Sequence, residues 1–142
     1  MPAIKRSITV NASPKEAFDV VSDFESYPKF LPEILDATVI KKNSKEIVVR
    51  FKVELLLKSE YTLKFHLKHP SLISWELVKG DNMKSNTGEW SLEPEGKNRT
   101  KLTYSVEVQF GWLVPKAVAE KLIESHLPKM LKNFKTRIDE RE

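Results

Sequence analysis

A long central part of the chain, residues 34–110, alternates apolar and polar side chains with a period of two. This alternation is typical of antiparallel strands that bury one face and leave the other in contact with water. Short groups of Gly, Pro, Asn, Asp and Ser interrupt it, and their spacing indicates about six strands. The segment therefore predicts an antiparallel meander, in which each strand pairs with the next one along the chain.

The two faces of these predicted strands differ in chemistry. Trp75 and Trp90 join the apolar face, and none of its positions is Asp, Glu, Lys or Arg. Tyrosine hydroxyls, indole N–H groups and a large apolar area are typical of a lipophilic pocket with a few orienting donors, although the same residues also suit a filled core. The apolar positions of the three clearest strands are Ile47, Val49, Phe51, Val53, Leu55, Tyr61, Leu63, Phe65, Leu67, Leu102, Tyr104, Val106, Val108 and Phe110.

Elements with other patterns flank the meander. Residues 4–10 alternate as one further strand, and the Ser-Pro-Lys-Glu sequence at 13–16 is a capping box that predicts the start of a short helix. Two prolines and several large apolar residues at 23–32 predict a second short helix or turn, with apolar side chains near the surface. After Gly111 an apolar stripe with a period of about 3.6 predicts a long helix, interrupted at Pro128. The predicted class is α+β.

The composition excludes several kinds of chemistry. The 142 residues include 4 glycines and no cysteine. Without cysteine the chain has no disulfide, no cysteine-ligated metal and no thiol nucleophile, and its widely spaced glycines form no phosphate-binding loop. No apolar leader and no stretch of about 18 apolar residues is present, so we expect a single cytoplasmic domain over residues 1–142.

The formal net charge is +4, and the basic surplus lies mainly within residues 41–110. Arg50, Lys52, Lys64 and Lys68 fall on the polar faces of two strands that we predict to be adjacent. A basic stripe of this kind attracts anionic lipid headgroups or RNA phosphates, although solvated edge protection explains it equally well.

The histidines and carboxylates form no familiar catalytic or metal-binding motif. His66 and His69 are three residues apart on one strand, so they face opposite sides and cannot chelate one ion together. Asp19 and Asp23 share one helical face as exposed like charges. His126 borders the apolar stripe of the long helix. It is the polar residue that we expect to touch a ligand, the alternative being a half-exposed histidine at the helix edge.

Three segments together resemble a known superfamily. They are the Tyr-Pro-Lys-Phe-Leu-Pro sequence at 27–32, the Gly-Glu-Trp-Ser-Leu sequence at 88–92 and the amphipathic C-terminal helix. They look like the coenzyme Q-binding and polyketide cyclase/dehydrase branch of the START-like (SRPBCC) superfamily, over essentially the whole chain. The resemblance implies a helix-grip fold, in which a curved antiparallel sheet of about seven strands surrounds a long C-terminal helix, with two short helices after the first strand.

The resemblance also implies an apolar cavity between the sheet and the long helix. It leaves the ligand open, because that superfamily carries lipids, quinones, hormones and polyketides. After Phe-Leu-Pro, the coenzyme Q-binding members and the ribosome-associated toxins of this branch usually continue with Trp-Cys, where this chain has Glu33 and Ile34. This difference weakens the case that the chain shares the quinone ligand of those relatives, so the prediction is the broader class of lipophilic ligands.

We therefore predict a binding protein that takes a lipid, a quinone or a polyketide-like compound into this cavity, with no catalytic residue, no metal and no cofactor beyond such a bound molecule. Transient contact with a membrane surface is a second expected interaction. The predicted ligand-contacting residues are Phe51, Phe65, Trp75, Trp90, Tyr104, Leu122, His126 and Met130. The residues predicted to form the cavity mouth or a membrane interface are Tyr27, Phe30, Leu31, Leu56, Trp112 and Leu113.

Two alternatives come from other functional classes. One is an aromatase/cyclase-like enzyme in which Tyr104 or His126 moves a proton. The other is a ribosome- or partner-binding module that uses the basic stripe, with nucleic acid or the ribosome as its partner.

Overall fold

Seven antiparallel strands form one sheet in the computed structural model, which describes residues 4–54, 58–81, 83–111 and 114–140. Their order across the sheet is β1-β7-β6-β5-β4-β3-β2, so every strand from β2 to β7 pairs with its neighbour in sequence and β1 pairs with β7. The strands are β1 (Ile4–Val10), β2 (Ile34–Lys42), β3 (Glu46–Glu54), β4 (Lys58–Lys68), β5 (Leu72–Gly80), β6 (Met83–Gly96) and β7 (Arg99–Phe110). The predicted meander and the α+β helix-grip fold are confirmed.

Two short helices connect β1 to β2. Helix α1 (Pro14–Val21) begins with the predicted capping box, in which the Ser13 hydroxyl accepts from the Glu16 backbone N–H at 3.2 Å and the Glu16 carboxylate accepts from the Ser13 backbone N–H at 3.2 Å. These bonds satisfy two of the backbone donors that a helix start leaves free. A 3-10 helix (Phe24–Lys29) follows directly.

The long helix α2 (Lys116–Asp139) runs through Pro128 and packs on the inner face of the sheet. Two polar contacts join its C-terminal part to the start of the chain. The Lys135 ammonium donates to the Thr9 backbone oxygen at 2.9 Å, and the Asn11 backbone N–H donates to the Asp139 carboxylate at 2.8 Å. None of the helices in the described ranges is long and apolar enough to cross a membrane.

The sheet opens between β5 and β6. Register pairs between these strands run from Leu72 with Ser91 to Trp75 with Gly88, and no further pair of described residues follows. At Gly88 the indole of Trp75 lies so close that an added Cβ would be 2.4 Å from its Cζ2 atom. Glycine is required here because the backbone and an inward-facing tryptophan approach each other.

Candidate ligand-binding cavity

A cavity of about 200 Å³ lies between the inner face of the sheet and α2. The strand alternation supplies most of its wall, because β3, β4, β5, β6 and β7 turn every second side chain towards the helix. All eight residues that the sequence predicts to contact a ligand line this cavity: Phe51, Phe65, Trp75, Trp90, Tyr104, Leu122, His126 and Met130.

Aromatic rings form a continuous part of the wall. Tyr104 packs edge-on against Trp90, with ring centroids 4.7 Å apart, and lies 5.5 Å from Trp75. Trp75 in turn contacts Phe65 at 5.9 Å, and Phe65 contacts Phe51 at 6.1 Å. Such a wall offers flat apolar surfaces and ring edges, which suit a ligand with an aromatic ring of its own.

A carboxylate and a histidine meet at the cavity. The His126 Nε2 and Glu33 Oε2 atoms are 2.9 Å apart, and the two side chains are only 20% and 10% exposed. Burial opposes ionisation of Glu33, but the hydrogen bonds from His126 and from its own backbone outweigh it, so the pKa of Glu33 lies below its ordinary value. Glu33 is therefore a carboxylate at neutral pH.

Glu33 is not among the residues predicted from the sequence to contact a ligand. It follows Pro32 and directly precedes β2, so it belongs to no alternating strand, and its partner lies on a helix distant in sequence. The signal that could have found it is its position as a single charge within the apolar run at 30–35. An ionisable residue in such a run is placed either at a surface or against a partner.

The three tyrosines differ in what their hydroxyls bind. The Tyr27 hydroxyl donates to the Val21 backbone oxygen. The hydroxyls of Tyr61 and Tyr104 line the cavity without a hydrogen bond to any described residue. Burial raises the pKa of all three, with Tyr61 reaching about 12. Tyr61 and Tyr104 therefore stay protonated and present donors to whatever occupies the cavity.

Asn86 is a second polar wall residue that the sequence analysis missed. It is 7% exposed, and its Oδ1 accepts from the Trp75 indole N–H at 2.9 Å. The bond fixes the orientation of the Trp75 ring at the place where β5 and β6 separate. The irregular pairing at the start of β6 hides this inward position from a simple alternation count.

The residues predicted to form a mouth or an interface have different surroundings. Tyr27 and Leu31 are 7% and 1% exposed and line the inner cavity wall, so the expectation of apolar side chains near the surface is wrong for them. Phe30 is half-buried, packs on Phe134 with ring centroids 5.1 Å apart and lies beneath the Arg137 guanidinium. The prediction for Leu56, Trp112 and Leu113 falls outside the described residues.

The other two histidines lie away from the cavity. His66 is on the outer face, where its ring nitrogens approach Glu46 at 3.2 Å and Glu76 at 2.9 Å. His69 packs edge-on against Phe18, with ring centroids 4.7 Å apart. In the part of the chain that the structure describes, no group of three or more His, Cys, Asp and Glu side chains could hold a metal ion.

The basic residues of the outer face alternate with acidic ones. Arg50 lies 3.6 Å from Glu60, and Lys64 lies 3.5 Å from Glu46. Lys52 is paired in register with Glu60 as well. The stripe predicted from the sequence is therefore a mixed surface, because Glu46 on β3 and Glu60 on β4 lie between the cations.

The fold and the cavity define a protein of the helix-grip, START-like class. Residues 10–135 match the family model described as polyketide cyclase / dehydrase and lipid transport, and the chain belongs to that family.

Solved structures support the same fold. A START superfamily protein from Mycobacterium smegmatis superimposes with a TM-score of 0.86 at 23% identity, covering 97% of each chain. The Zhui aromatase/cyclase from Streptomyces sp. R1128 superimposes with a TM-score of 0.75 at 17% identity, covering 96% of this chain and 94% of that one.

One sequence relative is named for ribosome association and not for a small-molecule ligand. The ribosome association toxin RatA of Escherichia coli K12 is 23% identical over 111 residues, which cover 78% of this chain and 70% of that protein.

Proposed function

We propose that this protein binds a hydrophobic small molecule, of the lipid, quinone or polyketide type, in the cavity between the sheet and α2. It acts as a carrier or chaperone in the cytoplasm and catalyses no reaction. The observation that carries the proposal is the aromatic cavity itself, which Tyr61 and Tyr104 line with hydroxyls that bind no described residue. Hydroxyls that face a cavity in this way can donate a hydrogen bond to a bound ligand.

The size of the cavity limits what it can enclose. Its volume of about 200 Å³ is moderately larger than the ~150 Å³ of an apolar cavity that holds one benzene. One aromatic ring or a compact pair of fused rings fits. A quinone with an isoprenoid tail would place its ring inside and extend its tail out of the cavity.

Filling the cavity tests the proposal. Val106 is 5% exposed and lines the wall, so Val106→Phe adds four carbon atoms to the space that a ligand would occupy. Val78 is 54% exposed and does not line the cavity, which makes Val78→Phe the matched control. Native mass spectrometry and thermal shift with a panel of lipids, quinones and 2-methylnaphthalene give the binding of each variant.

We expect a panel member to raise the melting temperature of the unmodified protein and of Val78→Phe, and to bind Val106→Phe at least about tenfold more weakly. Trp90→Ala should also lose affinity, because it removes a ring from the wall. Circular dichroism checks that both cavity variants fold. If no panel member binds, or if Val106→Phe and Trp90→Ala bind as the unmodified protein does, the proposal fails.

A second candidate is acid–base catalysis on a cavity ligand, as in an aromatase/cyclase. The hydrogen bond between Glu33 and His126 favours it, because a carboxylate that orients an imidazole is a common arrangement for proton transfer. If this candidate is correct, the protein converts a bound polyketide-type compound into a product. His126→Ala should then abolish the conversion but not the binding.

The third candidate is the ribosome association that the name of the RatA relative suggests. The ion pairs on the outer face weigh against the predicted basic stripe as its binding surface. Transient membrane contact through Leu56, Trp112 and Leu113 stays a prediction, and a vesicle flotation assay with and without their replacement by serine would test it.

A further inference from the structure

The cavity wall contains carboxylates but no lysine or arginine within the described part of the chain. Apart from the tyrosines, its ionisable groups there are Glu33, Asp81 and His126. Asp81 is exposed, and its carboxylate accepts from the Glu60 backbone N–H at 3.3 Å. Glu33, at 10% exposure, is therefore the anionic group that a ligand in the cavity would meet.

The positive charge that His126 can carry is not free for a ligand. Its Nε2 already lies 2.9 Å from the Glu33 carboxylate. A carboxylate has about four acceptor positions on its two oxygens, and the hydrogen bonds from His126 and from the Glu33 backbone occupy two of them. Glu33 can thus accept a further hydrogen bond from a ligand, whereas a ligand anion would find no unpaired cation in the described wall.

The remaining polar wall groups are neutral: the hydroxyls of Tyr61, Tyr104 and Ser59, the Asn86 amide and the indole N–H groups of Trp75 and Trp90. Tyr61 and Tyr104 have no hydrogen bond to a described residue, and neither has the buried Ser59 Oγ. Hydroxyls of this kind serve a neutral polar group as donors or acceptors. Neutral groups of this kind do not offset the free-energy cost of desolvating a ligand carboxylate. That carboxylate would also be repelled by the Glu33 carboxylate in the apolar cavity.

We propose that Glu33 makes the cavity selective for uncharged, compact aromatic compounds that present a hydrogen-bond donor, and against compounds that carry a carboxylate. The inference rests on the proposed function and narrows its ligand class, because it excludes free fatty acids and aromatic acids. The ligand's N–H or O–H group donates to Glu33, and its ring packs against the tryptophan and tyrosine wall.

Two isosteric probes test the selectivity. Naphthalene-2-carboxamide and naphthalene-2-carboxylate have nearly the same shape and differ in charge and in the amide donor. Titration calorimetry at neutral pH gives both dissociation constants for the unmodified protein. A third probe, 2-methylnaphthalene, has no polar group and reports whether the cavity takes an aromatic ring at all.

Glu33→Gln removes the charge and keeps the shape of the side chain. Its matched control is Glu76→Gln, because Glu76 also lies 2.9 Å from a histidine Nε2, but on the outer face of the sheet. Both variants change the net charge equally, so an effect of overall charge appears in both. If Glu33→Gln does not fold, Glu33→Leu provides the same loss of charge.

We expect the unmodified protein and Glu76→Gln to bind the carboxamide at least about tenfold more tightly than the carboxylate. In Glu33→Gln the carboxylate should gain and the carboxamide should lose affinity, so that the ratio falls by about tenfold. The inference is overturned if the unmodified protein prefers the carboxylate, or if Glu33→Gln leaves the ratio unchanged. Binding of 2-methylnaphthalene in that case leaves the proposed function intact. Failure of all three probes overturns the inference, and the proposed function fails with it only if the lipids and quinones of the panel do not bind either.

Discussion

Tyr61 and Tyr27 have the same hydroxyl group, but the fold uses it differently. The Tyr27 hydroxyl donates to the Val21 backbone oxygen, and the Tyr61 hydroxyl faces the cavity without a hydrogen bond to a described residue. For both side chains burial disfavours the phenolate and raises the pKa. At neutral pH the Tyr61 hydroxyl therefore contributes little to the stability of the protein and remains available for a ligand.

Alkaline unfolding gives a prediction for Tyr61. Its pKa is about 12 in the folded protein and 10.0 when unperturbed. From pH 10 to 12 the unfolded chain releases this proton and the folded chain keeps it, so stability falls as the pH rises. Tyr61→Phe removes the proton, and at pH 12 it should be more stable than the unmodified protein by about 2 kcal/mol, measured by urea unfolding.

At neutral pH the same variant should differ from the unmodified protein by less than about 1 kcal/mol, because no hydrogen bond to a described residue is lost. Tyr27→Phe is the control. It loses the bond to Val21 and leaves a buried carbonyl without its partner, so it should be destabilised at neutral pH by about 1–3 kcal/mol. If the free energy of unfolding falls equally with pH in Tyr61→Phe and in the unmodified protein, burial does not raise the pKa of Tyr61.

At the scale of the elements, the sequence predicts best what the local backbone decides. In a strand, the pleat alone puts Phe51, Val106 and Val108 on one face, so the alternation was enough to identify the inner wall. The 3-10 helix has no such rule. Tyr27 is buried because Phe134 of α2 packs edge-on against it at 5.3 Å, a contact between distant parts of the chain.

Glu33 also depends on a contact between distant parts of the chain, which the local sequence does not predict. Whether a carboxylate beside a strand is solvated or buried depends on what the fold places opposite it. Here the opposite residue is His126, which α2 delivers at 2.9 Å. The apolar stripe of its own helix is enough to identify His126, but no local pattern pairs it with a residue outside the strands.

The attachment of α2 depends on Phe134. Its ring is 1% exposed and contacts Tyr27 at 5.3 Å, Phe30 at 5.1 Å and Trp90 at 4.9 Å. Phe134→Ala would leave a void among these rings, so we expect a loss of about 3–5 kcal/mol in the free energy of unfolding. Val118→Ala, at a position of the same helix that is 44% exposed, should change it by less than about 0.5 kcal/mol.

Urea unfolding of both variants measures the difference. A small loss for Phe134→Ala, close to that of Val118→Ala, would contradict the buried contact between α2 and the 3-10 helix.

At the scale of the whole molecule, the net charge of +4 and the sequence pI of about 9.2 suggest affinity for polyanions. The arrangement of these charges on the outer face disfavours the binding of a polyanion. Glu46, Glu60 and Glu76 lie on the outer face among the cations that the sequence analysis grouped into a stripe. Counterion release requires several cations in a row along a phosphate backbone, and paired cations provide it poorly.

Removing these carboxylates should create the missing surface. We expect the triple variant with Glu46, Glu60 and Glu76 each changed to Gln to elute from heparin at clearly higher salt than the unmodified protein, because Arg50, Lys52 and Lys64 then face the polymer unpaired. The control changes Glu89, Glu93 and Glu124, three exposed carboxylates outside this group, to Gln and raises the net charge by the same amount. If both triple variants shift equally, overall charge governs polyanion binding and the ion pairs of the outer face have no part in it. If only the first variant shifts, and if it also co-sediments with ribosomes where the unmodified protein does not, those three carboxylates prevent this protein from binding ribosomes.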